Sequence, residues 1–200
     1  MQSVMRKVFA GFAATALCVV AAGALAADGG GPPTLAKTLA PARGGSKLTV
    51  RSSAFSPGTD IPDRYTQNGE NMSPALEWTK GPPGTRSYVL LAEDAGVDRP
   101  EPIVHWVMYD INPAVTRLPQ AMASEPTVEF GSQGKNIRGQ AGYIGPKPPA
   151  GQEHPYHFEV FALNTRLNLD PANTDRNAVI AAMKGKVLAS GDLIANYTGK

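Results

Sequence analysis

Residues 103–111 read Ile-Val-His-Trp-Val-Met-Tyr-Asp-Ile, and this run constrains the fold more than any other stretch of the chain. Side chains of a strand point alternately to its two faces, and here both sets are largely apolar, so a strand at this position must be covered on both sides. Other segments supply neighbours for it. Residues 47–55 alternate Leu48 and Val50 with Thr49 and Arg51, then stop at Ser56-Pro57-Gly58, a turn signal. Residues 88–93 form a short apolar run after Pro82-Pro83-Gly84, and residues 156–163 and 192–197 are further strand candidates. Only residues 177–188 read well as a helix, with Val179, Ile180, Met183 and Val187 on one stripe and Lys184 and Lys186 off it. Gly185 inside that helix costs about 1 kcal/mol relative to Ala. Short strands, 18 prolines and one late helix predict a mainly β, antiparallel sandwich with a helical appendage.

The start of the chain has a different character. Arg6 and Lys7 precede an uncharged stretch, residues 8–27, that ends in the small-x-small site Ala24-Leu25-Ala26. This pattern predicts a signal peptide over residues 1–26, export to the periplasm or the exterior, and no stable membrane insertion after cleavage. Cys18, the one cysteine, leaves with that peptide, so the remaining chain is expected to contain no disulfide, thiol nucleophile or thiolate metal site. Basic and acidic residues balance once Arg6 and Lys7 are removed, which gives no reason to expect nucleic acid as a partner. Residues 27–46 are dominated by Gly, Pro, Ala and Ser and read as a flexible linker. Residues 47–200 are then of single-domain size.

The three histidines are the candidates for chemistry. His105 lies within the doubly apolar strand, read as sharing a face with Ile103, Val107 and Tyr109, where a core histidine satisfied by one hydrogen bond is as good a reading as a functional one. His154 and His157 are three apart; on a strand this spacing sends them to opposite faces and argues against a shared metal, whereas His154 and Tyr156 point the same way. The segment before them, Gly145-Pro146-Lys147-Pro148-Pro149-Ala150-Gly151, is stiff and poor in backbone donors, suited to a pocket wall or to a plain surface loop. No G-x-S-x-G, P-loop, H-E-x-x-H or calcium-loop pattern is present.

Four ordered motifs add a resemblance. Gly69-Glu70-Asn71-Met72-Ser73-Pro74-Ala75-Leu76-Glu77-Trp78 resembles the G-x-N-x-S-P-x-L-x-W segment of phosphatidylethanolamine-binding proteins, also called Raf kinase inhibitor-like proteins. Their D-P-D-x-P motif is similar to Glu93-Asp94-Ala95-Gly96 followed by Pro100 and His105-Trp106, without the second acid and proline at the usual spacing. Their G-x-x-P-P-x-G motif ending in H-R-Y is similar to residues 145–156, with Pro155 in place of the arginine. Residues 181–189 resemble the bacterial branch. The resemblance spans nearly all of residues 47–200.

It implies a two-sheet antiparallel sandwich with a few short helices, one near the C-terminus. It also implies a small pocket formed by Asp94, His105, Pro148, Pro149, His154 and Tyr156 that accepts phosphate, carboxylate or a phospho-headgroup. Imidazoles and a phenol can donate to such oxyanions, and a carboxylate can hold an imidazole protonated. The expected function is therefore an exported, non-catalytic binding protein for a small anionic ligand. It would need no cofactor or metal, and a protein partner or a homodimer is compatible with the resemblance. The alternative is a hydrolase or phosphate-transferring enzyme using the His/Asp pocket.

Overall fold

The computed structural model describes residues 31–200. The expected signal peptide and the first residues of the expected linker lie outside the described residues. In chain order the elements are α1 (Ala36–Leu39), β1 (Ser46–Lys47), β2 (Val50–Arg51), β3 (Leu76–Trp78), β4 (Ser87–Asp94), β5 (Ile103–Ile111), β6 (Arg117–Leu118), β7 (Thr127–Val128), β8 (Gly131–Gln133), β9 (Glu153–Leu163), α2 (Arg176–Met183) and β10 (Val187–Thr198). Short 3-10 turns complete them. The larger sheet has seven strands in the order β1-β10-β9-β4-β5-β8-β7, and the smaller has three in the order β2-β3-β6. Pairing is antiparallel except between β1 and β10. This is the mainly β, two-sheet architecture expected, with few and short helices.

The doubly apolar β5 is covered twice, as its sequence requires. On its inner side Trp106 and Met108 join a core with Tyr88, Phe158, Leu193 and the small-sheet residues Leu76, Trp78 and Leu118. On its outer side Val107 and Tyr109 pack with Val89, Leu91, Phe161 and Leu163 beneath Val179, Ile180 and Met183 of α2 and Ala36 and Ala40 of the N-terminal segment.

Three expectations are corrected. Residues 47–55 are not one strand: β1 pairs with β10 in the large sheet and β2 with β3 in the small one, and the chain crosses between sheets at Leu48-Thr49. The predicted helix stops at Met183, because Gly185 turns the chain at φ +70° and Val187 opens β10. At its start Asp175 accepts a hydrogen bond from the Ala178 amide, a side-chain cap. Residues 33–46 are not a free linker but a packed segment, with Ala36 and Ala40 at 0% and 1% exposure. Small side chains let its backbone approach the sheet face closely, and its amides bond to buried carboxylates there, a gain that composition does not reveal.

Candidate functional site

The site grows from the ends of two neighbouring strands. β4 ends at Asp94 and β9 begins beside it, with Asp94 opposite Tyr156 in the antiparallel register. His154 Nδ1 lies 3.0 and 2.9 Å from the two Asp94 carboxylate oxygens, and both residues are buried. The carboxylate only accepts, so Nδ1 carries the proton and donates it; His154 Nε2 is 3.4 Å from Gln152 Oε1. Asp94 Oδ1 also accepts the Gly96 amide at 2.8 Å. Gly96 is required there, since a Cβ would lie 2.7 Å from His154 Cβ and 2.8 Å from its Cδ2.

His105 reaches this face through an irregularity. Ala92 pairs with Trp106, but Glu93 already pairs with Val104, so His105 is an extra residue in β5. Such a bulge turns two successive side chains to one side. His105 therefore meets the Tyr156 ring edge-on, with centroids 5.2 Å apart, whereas Val107 and Tyr109 face the outer core. The expected common face of His105 with Val107 and Tyr109 is thus corrected, while Ile103 remains beside it at the cavity. His105 Nδ1 donates to the Ile144 carbonyl at 2.6 Å, and the Ile144 amide donates back to the His105 carbonyl at 2.9 Å. Burial pushes the His105 pKa below the usual imidazole value, against the opposing pull of the Ile144 carbonyl and Asp94. With the proton on Nδ1, the neutral ring's Nε2 is an acceptor, and it is buried without a partner among the described residues.

These groups border a cavity of about 620 Å³ lined by Asp94, His105, Pro148, Pro149 and His154. Tyr156 is not among its lining residues. Its hydroxyl is buried without a partner among the described residues, and burial, then the Asp94 charge, push its pKa well above the phenol range. His154 and His157 face opposite sides, as their spacing predicts: His157 Nδ1 is 2.8 Å from Asp192, in the cluster beneath the N-terminal segment.

The Asn71 motif and the proline segment, far apart in sequence, build one wall together. Asn71, at φ +55°, accepts the Gly145 amide through Oδ1 at 2.7 Å, and Gln67 Nε2 donates to the Gly145 carbonyl at 2.7 Å. A Cβ on residue 145 would come within 2.5 Å of the Tyr65 carbonyl oxygen. The far end of the segment is tied to the C-terminus, where the Gly151 amide donates to the Gly199 carbonyl and the Gly199 amide to the Gln152 carbonyl, both at 3.0 Å. Sequence reasoning missed Gln67, Arg99, Arg138 and Lys147, all of which line the cavity. They sit singly on loops, and no periodicity marked them; Arg138 is placed by a 2.5 Å hydrogen bond from Nη2 to Gln67 Oε1.

Comparison with known proteins bears on the family and the fold. The UPF0098 protein of Aquifex aeolicus is 38% identical over 156 residues, covering 77% of this chain and 90% of that protein. Among solved structures, Escherichia coli YbcL, described as a member of the mammalian PEBP family, superimposes with a TM-score of 0.71 at 27% identity, covering 78% of this chain and 100% of its own. The PEBP homolog CT736 of Chlamydia trachomatis gives a TM-score of 0.69 at 30% identity, covering 78% and 99%. The sequence model described as phosphatidylethanolamine-binding protein matches residues 51–198, which include the Asn71 motif, Asp94, His105 and the proline segment through Tyr156. The chain belongs to the phosphatidylethanolamine-binding protein family.

Proposed function

We propose that this protein is an exported binding protein whose cavity at Asp94, His105 and His154 takes a small oxyanion such as phosphate, a carboxylate or a phospho-headgroup. The observation that carries the reading is the buried Asp94–His154 pair beside the unpartnered Nε2 of His105. An unpartnered buried nitrogen is costly unless something completes it. Arg99, Arg138 and Lys147 outnumber Asp94 and Asp98 among the lining charges, which favours an anion. A neutral His105 Nε2 accepts rather than donates, so a ligand that keeps one acidic proton, such as hydrogen phosphate or a phosphomonoester monoanion, suits it better than one with acceptors alone. The stiff proline wall lowers the ordering cost of binding. The uncharged stretch at residues 8–27 supports export.

Calorimetry with phosphate, acetate and phosphoethanolamine against the wild type and His154→Ala tests this. Binding by the wild type that is lost in the variant is the expected result. No heat with any of the three at millimolar concentration overturns it. Turnover of a phosphate or carboxylate ester, abolished by His105→Ala, would replace binding by catalysis as the primary role.

A further inference from the structure

The packed segment at residues 33–46 precedes the region that matches the family, yet its contacts converge on the back of the cavity. The Thr34 amide donates to the Pro100 carbonyl at 3.0 Å. The Thr34 carbonyl accepts Arg176 Nη2 at 2.7 Å, and Arg176 Nε donates to Glu93 Oε1 at 2.5 Å. The Ala36 amide donates to Glu93 Oε2 at 3.1 Å. Lys37 forms an ion pair with Asp192.

Two of these anchor points belong to the cavity's own framework. Glu93 directly precedes Asp94, and strand alternation sends its side chain to the outer face while that of Asp94 goes to the cavity. Pro100 belongs to the loop between β4 and β5, whose Gly96, Val97, Asp98 and Arg99 line the cavity. One end of that loop is held by the Ala95 amide on the Pro155 carbonyl at 3.0 Å. Arg99 bonds only within the loop, to the carbonyls of Glu101 and Pro102. Among the described residues, the Thr34–Pro100 bond is the one backbone hydrogen bond joining residues 96–102 to another segment outside the sheet ladder. Thr34 itself is exposed, so its backbone, not its side chain, makes the connection.

We propose that residues 34–37 are a positioning brace for the cavity. Through Pro100 and Glu93 they fix the loop at residues 95–102 and the Glu93–Asp94 step from behind the large sheet, so that ligand affinity depends on residues that never touch ligand. The ligand half of this inference rests on the anion-binding reading; the loop half does not.

Thr34→Pro in the full chain removes the amide donor while keeping the carbonyl that Arg176 uses, and Thr34→Ala keeps both. Loss of one hydrogen bond corresponds to a roughly two- to tenfold change. The expected result is that exchange of the hydrogen-bonded Ala95 and Gly96 amides rises and phosphate binding weakens by about that factor in Thr34→Pro, while Thr34→Ala matches the wild type in both. A merely structural role would lower the unfolding midpoint without selectively loosening this loop. Unchanged loop exchange in Thr34→Pro overturns the brace. If the wild type binds no phosphate, the anion reading fails, and loop exchange alone still decides the brace.

Discussion

On the cavity side of the large sheet, Asp94 and His154 pair with each other beside an open space, while the His105 Nε2 and the Tyr156 hydroxyl, the latter outside the cavity lining, have no partner among the described residues. On the opposite side, Glu93, His157 and Glu159 of β4 and β9 and Asp192 of β10 lie beneath the N-terminal segment together with Arg176 and Lys37. Neighbouring residues supply both groups: Glu93 and Asp94 on β4, His154 and His157 on β9. What separates them is the cover. Where α1 and α2 seal the face, the charges hold the segment down, and losing one leaves another stranded away from water. Buried atoms without a partner among the described residues occur on both sides, Glu159 Oε2 and Asp192 Oδ1 on the sealed one, but on the open side a cavity borders His105, and in the proposed reading a ligand completes it. The sealed side should therefore govern stability and the open side binding.

The largest expected effect follows from the sealed side. Arg176 and Glu93 are almost fully buried and joined at 2.5 Å. Removing one partner of such a pair leaves an uncompensated buried charge, so Arg176→Ala should destabilise the protein by about 3–5 kcal/mol, read by urea unfolding. Asp94→Asn on the open side keeps the volume and borders the cavity, and should cost less stability while abolishing phosphate binding. An Asp94→Asn variant that is as destabilised as Arg176→Ala would collapse the distinction between the two faces.

The sequence made the open side partly legible and the sealed side hardly at all. The doubly apolar run at residues 103–111 demanded cover on both faces, and it has it. Alternation along β9 separated His154 from His157 correctly. Alternation failed at His105, because a one-residue bulge leaves no trace in a hydrophobic pattern but reverses every facing beyond it. The brace was missed for a related reason: its bonds come from backbone groups of Thr34 and Ala36, which composition does not register, while its small residues suggested a linker. Gln67 and Arg138 meet only through tertiary structure. The motifs singled out Asn71, which acts as a support for Gly145 rather than as a lining residue.

A smaller effect should come from Gly96, where the open side is tightest. A Cβ at this position must displace the His154 ring or the loop that carries it, an overpacking cost of about 1–3 kcal/mol. Gly96→Ala should therefore lower stability less than Arg176→Ala but weaken phosphate binding strongly, by moving His154 away from Asp94. Wild-type affinity in Gly96→Ala would show that the Asp94–His154 geometry does not set binding.

Smallest in acid, and the sharpest on the sealed side, is the effect of Glu159. Burial, reinforced by the nearby charges of Glu93 and Asp192, pushes its pKa from the ordinary carboxylate range up to about 9. The folded protein then holds a proton that the unfolded chain releases, so this group's contribution to stability is complete below the unfolded value and is lost as pH rises toward about 9. Glu159→Gln imitates the protonated acid and has no proton to lose. Its unfolding midpoint should stay near that of the wild type at about pH 4 and exceed it increasingly as pH rises toward about 9, because over that range the unfolded wild type alone gains by ionising the carboxyl. Equal midpoints for the two proteins across that range would mean that Glu159 is already solvated and that the N-terminal segment does not seal the face. The open side predicts the reverse trend. Burial lowers the His105 pKa, so its contribution is present above the unfolded imidazole value and declines as pH falls below it, and the two faces should lose stability at opposite ends of the pH scale.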